Sequence, residues 1–294
     1  MEGSFSLKDS TVGIIGLGLM GGSLAMSLRG KCAHLVGFDS HPPTLELALS
    51  KRIIDQAASF APSRTERSDS EVEAGVRVDL LILATPIQAI LDTTYQLPIT
   101  VNHPCIVMDI GSTKRDILKA MSAMPERFDP IGGHPICGKE RLGLENADAN
   151  LYQNAPFVIA PLERTTARAK SAAKQIISAV GANRIEMTAE EHDRIIASTS
   201  HLPFLISSAL AHSTPMEFAS LVGSGYRSTT RLAGTPSQMM MGILKSNRDN
   251  ILKTIRTFRN SLDEVESALQ DEDYSQLELF LNRSRTSYHS IIEN

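Results

Sequence analysis

The chain has 294 residues, 42% hydrophobic and 21% charged, with a formal net charge of −4. That length allows a large core and, at the usual size of a domain, two domains. The charge balance excludes nucleic acid or an anionic membrane surface as the main partner, and no apolar run reaches the about 20 residues that span a bilayer.

Residues 1–10 carry Glu2, Lys8 and Asp9, without a basic segment leading into a long apolar stretch, so no secretory signal is read there. Cys32, Cys105 and Cys137 are odd in number and widely spaced, with no C-x-x-C pair. This argues against a disulfide framework and a structural zinc site; no metal is expected, and a reducing cytoplasm is the expected location.

In chain order, residues 11–16 predict a strand, 21–29 a helix, 35–38 a second strand and 43–50 a helix. The run 79–84 is strongly apolar and ends at Thr85-Pro86, and 105–110 is another such run. Residues 156–160 and 184–187 predict two more strands around a helix over 166–180. Short continuous apolar runs alternating with helices mean βαβ units and a buried parallel sheet. The polar stretch 59–73 is read as a surface loop. Beyond residue 188 no strand-like run appears: 189–210 and 239–292 both have helical character. The division is therefore 1–188, an α/β unit, and 189–294, an all-helical unit.

Gly16-Leu17-Gly18-Leu19-Met20-Gly21 fits G-x-G-x-x-G, following a strand and opening a helix, the context a dinucleotide site needs. The first glycine permits the tight turn, the second lets a pyrophosphate sit against the backbone, and the third lets helix and strand pack closely. The helix N-terminus then presents free N–H groups to the phosphates. Asp39 ends the second strand, 18 residues beyond Gly21. A carboxylate there accepts from both ribose hydroxyls and repels a 2′-phosphate. Ser40, His41 and Pro42 follow, with no arginine, so NAD is expected rather than NADP. Thr85 and Pro86 lie where the sheet's carboxyl edge forms the ligand crevice.

The segment 128–140, with Gly132-Gly133-His134-Pro135 at its centre, reads as an apolar run and then a short loop. Glycines allow close approach of a ligand, proline stiffens the exit, and a histidine held there exchanges a proton near neutral pH. Ser112-Thr113-Lys114 stands 22 residues earlier, on the turn after the 105–110 strand. Ser112 also reads as an N-cap of the helix that follows.

With these motifs the chain resembles the prephenate/arogenate dehydrogenase family of tyrosine biosynthesis. The matching segments are 16–25, 109–114, 132–135, Glu140, His192-Asp193, 200–203 and 225–233, and they cover most of the chain. The resemblance implies an N-terminal Rossmann-type, doubly wound domain and a helical C-terminal domain that makes a homodimer, with the active site in the cleft between them. It implies NAD-dependent oxidation of a cyclohexadienol carboxylate, with loss of CO₂ as the ring becomes aromatic. His134 would take the ring hydroxyl's proton, and Ser112 would hold the same hydroxyl and orient His134. Arg231 would bind a substrate carboxylate, since a guanidinium grips it in bidentate fashion. Arg227, one helical turn earlier, is a second cation or a surface residue. His192 matches a position associated with substrate binding, Glu140 would pair with Arg231, and His201 reads as a buttress of its helix.

The chain departs from the family pattern at three places. Phe204 stands where some prephenate-using members carry a second histidine, which leaves arogenate, or both compounds, as the alternative substrate. Lys139 stands where Ser or Thr is more usual, and Cys137 replaces a small residue. No ACT-type domain is expected after residue 294 and no chorismate mutase before residue 1, so feedback by tyrosine, if present, would act at the active site. A β-hydroxyacid or imine reductase is the more distant enzyme reading, but no lysine pattern of that kind occurs in 188–210. An NAD-sensing interaction protein is the non-enzymatic one.

Overall fold

The computed structural model describes residues 4–58, 76–139 and 141–293. The expected loop over 59–73 and the candidate Glu140 lie outside the described residues. The first half alternates β1 (Thr11–Ile15), α1 (Leu19–Leu28), β2 (His34–Phe38), α2 (Pro42–Ser50) and β3 (Gln56–Ala58). It continues through β4 (Leu80–Leu83), α3 (Ile87–Thr100), β5 (Cys105–Asp109), α4 (Arg115–Ser122) and β6 (Phe128–Pro135). β7 (Pro156–Pro161), α5 (Ala167–Ala179) and β8 (Asn183–Glu186) complete it.

These strands form one sheet in the order β3-β2-β1-β4-β5-β6-β7-β8. All neighbours are parallel except β6 and β7, where His134 faces Val158. The apolar runs explain the layering, because successive strand residues point to opposite faces. Val12 and Ile14 of β1, Leu80 and Ile82 of β4, and Ile106 and Met108 of β5 pack with α1 and α5. Ile15, Leu81, Leu83 and Val107 join α3 and α4 on the other face. Each fully buried leucine or isoleucine contributes about 1.5–3 kcal/mol, so both faces are well covered.

Two strands were not legible as such. β3 is only three residues long. β6 carries Pro130, Gly132 and Gly133, all poor strand formers, so the histidine segment reads as a loop although His134 lies within a strand. Pairing with β5 and β7 overrides propensity there. The glycines are what the pairing demands: a Cβ at Gly132 would lie 2.9 Å from the Ala160 carbonyl oxygen, and one at Gly133 would lie 2.8 Å from that of Asp109. α1 also starts earlier than expected, at Leu19 with Gly18 as N-cap, so the helix begins inside the glycine motif.

After β8 the chain is helical: α6 (Ala189–Ile196), α7 (Leu202–Ser213), α8 (Ser224–Thr230), α9 (Ser237–Ser246), α10 (Arg248–Gln270) and α11 (Tyr274–Ile292). Thr188 caps α6, its Oγ1 accepting the Glu191 N–H at 3.1 Å. A π-helical turn over Ala197–His201 joins α6 to α7, a local widening often found at functional sites. α6 packs on α4 and β7, and Met240 and Ile243 of α9 enter the cluster under α3. Among the described residues, no helix is long and apolar enough to cross a membrane.

Candidate active site

The strand order places the crevice between the carboxyl ends of β1 and β4, where the chain reverses its winding direction. Gly16 sits there with φ +92°, a conformation that favours glycine, and a Cβ on it would lie 2.6 Å from Thr85 Cγ2. A Cβ on Gly21 would fall 1.8 Å from the Gly16 carbonyl oxygen, so the third glycine is fixed by helix–strand contact. Gly18 is different: nothing lies within 4 Å of where its Cβ would be. That open space above the first turn of α1 suits a diphosphate held by backbone N–H groups. Thr85 Oγ1 is buried there without a hydrogen-bond partner among the described residues, and Pro86 is the N-cap of α3. Asp39 Oδ2 accepts the Leu17 N–H at 2.8 Å and its Oδ1 accepts the His41 N–H at 2.9 Å. The carboxylate is thus fastened to the glycine loop, with lone pairs remaining for a ribose diol. The residues present fit a dinucleotide.

His134 is the penultimate residue of β6, on the same carboxyl edge of the parallel strands. Its Nδ1 lies 2.8 Å from His192 Nε2, and His192 Nδ1 lies 2.8 Å from Asp193 Oδ1. Asp193 is fastened in turn: Oδ1 accepts the Lys114 N–H at 2.7 Å and Oδ2 accepts the Arg115 N–H at 3.0 Å, which caps α4 from another element. A carboxylate only accepts, so a neutral His192 carries its proton on Nδ1 and presents a bare Nε2. That nitrogen accepts from His134 Nδ1–H, and among the described residues His134 Nε2 is left with a free lone pair. Burial opposes ionisation of Asp193, yet the hydrogen bonds from His192, Arg115 and Lys114 hold its carboxyl below the usual range. His134 is pushed well below its ordinary value, first by its dry surroundings and then by His192, Lys114 and His201. These surroundings favour the neutral ring over the charged one.

Beneath this array Lys114 Nζ pairs with Asp109 Oδ2, both side chains fully buried. Burial pushes the Asp109 carboxyl up and the Lys114 amine down, each opposed by its partner. Asp109 also accepts the N–H groups of Gly111, at 2.9 Å, and Gly133, at 3.4 Å, tying the turn after β5 to the strand that carries His134. Asn247, between α9 and α10, donates from Nδ2 to the Asp193 carbonyl at 2.6 Å and to His201 Nδ1 at 3.3 Å. His201 is buried, and burial lowers it to about 4.

The expectation that His192 binds substrate does not fit this geometry. Its side chain has 0% exposure and both ring nitrogens are engaged. His192 makes the contact that orients His134, a task expected of Ser112. Nor is Ser112 the N-cap of α4: that position is Lys114, and Asp193 does the capping. Ser112 lies half-buried on the turn after β5. The segment holding Arg227 is helical, and Arg231 follows one turn later at the start of a 3₁₀ turn, both exposed in the single chain. Ser207 of α7 fastens that turn by accepting the Ala233 N–H at 3.0 Å. Phe204 packs, half-buried, against the cluster under α3 and α4. Cys137 is half-buried, its thiol pushed up to about 11, and Lys139 pairs with Asp148 at 2.9 Å. Sequence reasoning assigned no role to Asp193, Lys114, Asp109 or Asn247. Only the adjacency of His192 and Asp193 just after a helix start hinted at one of them.

Residues 24–186 match the family model described as prephenate dehydrogenase, nucleotide-binding domain, and residues 188–283 match prephenate dehydrogenase, dimerization domain. The chain is 29% identical to the prephenate dehydrogenase of Bacillus subtilis (strain 168), over 92% of this chain and 73% of that one. It is similar to the crystal structure of Aquifex aeolicus prephenate dehydrogenase in complex with hydroxyphenyl propionate and NAD⁺. The TM-score is 0.85 and the identity 28%, covering 98% and 100% of the two chains. The Synechocystis arogenate dehydrogenase structure gives a TM-score of 0.79 at 27% identity, covering 96% and 100%.

Proposed function

The chain belongs to the prephenate dehydrogenase family, and we propose that it converts prephenate with NAD⁺ into 4-hydroxyphenylpyruvate, CO₂ and NADH, a step of tyrosine biosynthesis. The observation that carries this reading is the contact of His134 Nδ1 with His192 Nε2 at 2.8 Å, which leaves Nε2 without a hydrogen-bond partner among the described residues, on the sheet edge that also carries Gly16 and Thr85. NAD⁺, when bound, supplies the hydride acceptor. Gly16, Gly18, Gly21 and the start of α1 hold its diphosphate, Asp39 its adenosine ribose, and Thr85 with Pro86 lines the way to the nicotinamide.

The chain's own task is to place the substrate and manage one proton. His134 Nε2 accepts the hydrogen bond of the ring hydroxyl and takes its proton as the hydride leaves. Ser112 holds the same hydroxyl from the neighbouring strand end. Arg231 binds a substrate carboxylate in bidentate fashion, with Arg227 adding a second positive charge. Aromatisation of the ring supplies the driving force, so positioning does most of the work. Arogenate, the amino-acid counterpart, is the second reading. The apolar Phe204 at the start of α7 and the likeness to the Synechocystis enzyme favour it.

Residues 1–188 form the cofactor domain and 189–294 the substrate and self-association domain, with a homodimer as the working unit. The match to a dimerization-domain model supports this, and so does the exposed apolar surface. Met216 is 91% and Leu221 89% exposed, and α11 buries no side chain although it carries Leu279, Leu281, Ile291 and Ile292. Apolar surface on that scale is covered in working proteins. Three free thiols suit a reducing cytoplasm.

His134→Asn tests the assignment. Turnover is expected to fall by about 10²–10⁴ while NAD⁺ affinity stays within about twofold. Near-full activity in that variant would remove His134 from the mechanism.

A further inference from the structure

The reaction proposed above releases no net proton. The ring hydroxyl loses one as the carbinol C–H bond delivers its hydride to the nicotinamide and C=O forms. When the C–CO₂⁻ bond breaks, its electron pair enters the ring and the carbonyl pair returns to oxygen. That oxygen then takes a proton to become a phenol. The protein must hold one proton for the interval.

We infer that this proton does not rest on His134 but is passed to His192, held there against the Asp193 carboxylate, and returned by the same path. The inference rests on the prephenate dehydrogenase reading. The bonds are the ones the geometry offers. The substrate O–H breaks as His134 Nε2–H forms. His134 Nδ1–H breaks as His192 Nε2–H forms, across 2.8 Å. His192 then carries both N–H groups, with Nδ1–H on Asp193 Oδ1 at 2.8 Å, while His134 stays neutral throughout.

The charges around the two rings decide where the proton sits. Facing them are Asp193 on α6 itself, Lys114 at the start of α4, Asp109 at the end of β5 and His201 on the π turn. Lys114 is matched by Asp109. Dry surroundings, the neighbouring imidazoles and Lys114 all oppose a charge on His134. Asp193 stands against His192 and is kept ionised by two backbone N–H groups at the N-terminus of α4. A proton on His192 makes a neutral pair with it, whereas among the described residues no carboxylate is hydrogen-bonded to His134. His192 and Asp193 are positioning residues, acting through His134.

A proton inventory separates this from a purely structural role. Turnover is followed in mixtures of H₂O and D₂O, using substrate deuterated at the carbinol carbon so that hydride transfer limits the rate. The wild-type plot is expected to bow, as two protons move together. His192→Gln keeps an acceptor for His134 Nδ1–H but takes no proton, so its plot is expected to be straight and its kcat about 10- to 100-fold lower. A straight wild-type plot, or a bowed plot in both proteins, overturns the relay. Absence of wild-type turnover with prephenate is a different result and rejects the underlying reaction. Should His192→Gln fail to fold, ¹⁵N spectra of the wild-type ring nitrogens decide the matter without any variant or turnover. The relay requires His134 protonated on Nδ1 and bare on Nε2, and His192 protonated on Nδ1; the opposite tautomer at His134 overturns it.

Discussion

Burying His201 makes the protein's stability depend on pH in a narrow and calculable window. Its side chain is 1% exposed, Asn247 donates to its Nδ1, and burial lowers it from 6.5 to about 4. The unfolded chain therefore takes up a proton at higher pH than the folded one. The neutral ring's contribution is fully present above about pH 6.5 and declines as pH falls from there to about 4, where the folded ring also protonates. At about 1.4 kcal/mol per pKa unit the whole difference is about 3 kcal/mol, of which about 2 kcal/mol is already lost at about pH 5. His201→Gln removes the titration and keeps a polar group beside Asn247. Urea unfolding at about pH 7.5, 6 and 5, at one protein concentration, measures both proteins; the chain has no tryptophan, so circular dichroism is the suitable signal. His134 contributes a slope of the same sign to both, so the comparison rests on the difference between them. Wild type is expected to lose about 2 kcal/mol more than His201→Gln over that range. Equal losses would refute the argument that His201 is buried and neutral.

Two further substitutions test the two ends of the cleft. Gly21→Ala would set a Cβ 1.8 Å from the Gly16 carbonyl oxygen. Titration calorimetry is expected to show NAD⁺ affinity down at least about tenfold, with stability lower by about 1–3 kcal/mol; unchanged affinity would mean the loop yields easily. Arg231→Leu is expected to raise KM by about 10- to 100-fold with a smaller change in kcat, as loss of a carboxylate contact requires, and a change confined to kcat would contradict that role.

The cofactor site was legible because its determinants are local. A strand, three glycines and the start of a helix lie within eleven residues of Thr11, and Asp39 follows at the next strand end. The continuous apolar runs of β1, β4 and β5 likewise announced a sheet buried on both faces. The proton-handling array was not legible, because its parts meet only in the fold. His134 and His192 are 58 residues apart in sequence, and the residue that caps α4 is 79 residues beyond Lys114. A sequence shows that a histidine is present, but not which of its nitrogens is free. The same limit hid β6: its glycines lower intrinsic strand propensity, yet close neighbours on both sides require them. The π turn before α7 has no sequence pattern that distinguishes it from the helices it joins.

The most direct test of the functional account follows NADH absorbance with purified protein and NAD⁺, giving prephenate and arogenate separately at matched concentrations. NADH formation is expected, with prephenate as the preferred substrate. Preference for arogenate would assign the specificity to the Phe204 end of the cleft, and absence of signal with both would contradict the proposed reaction.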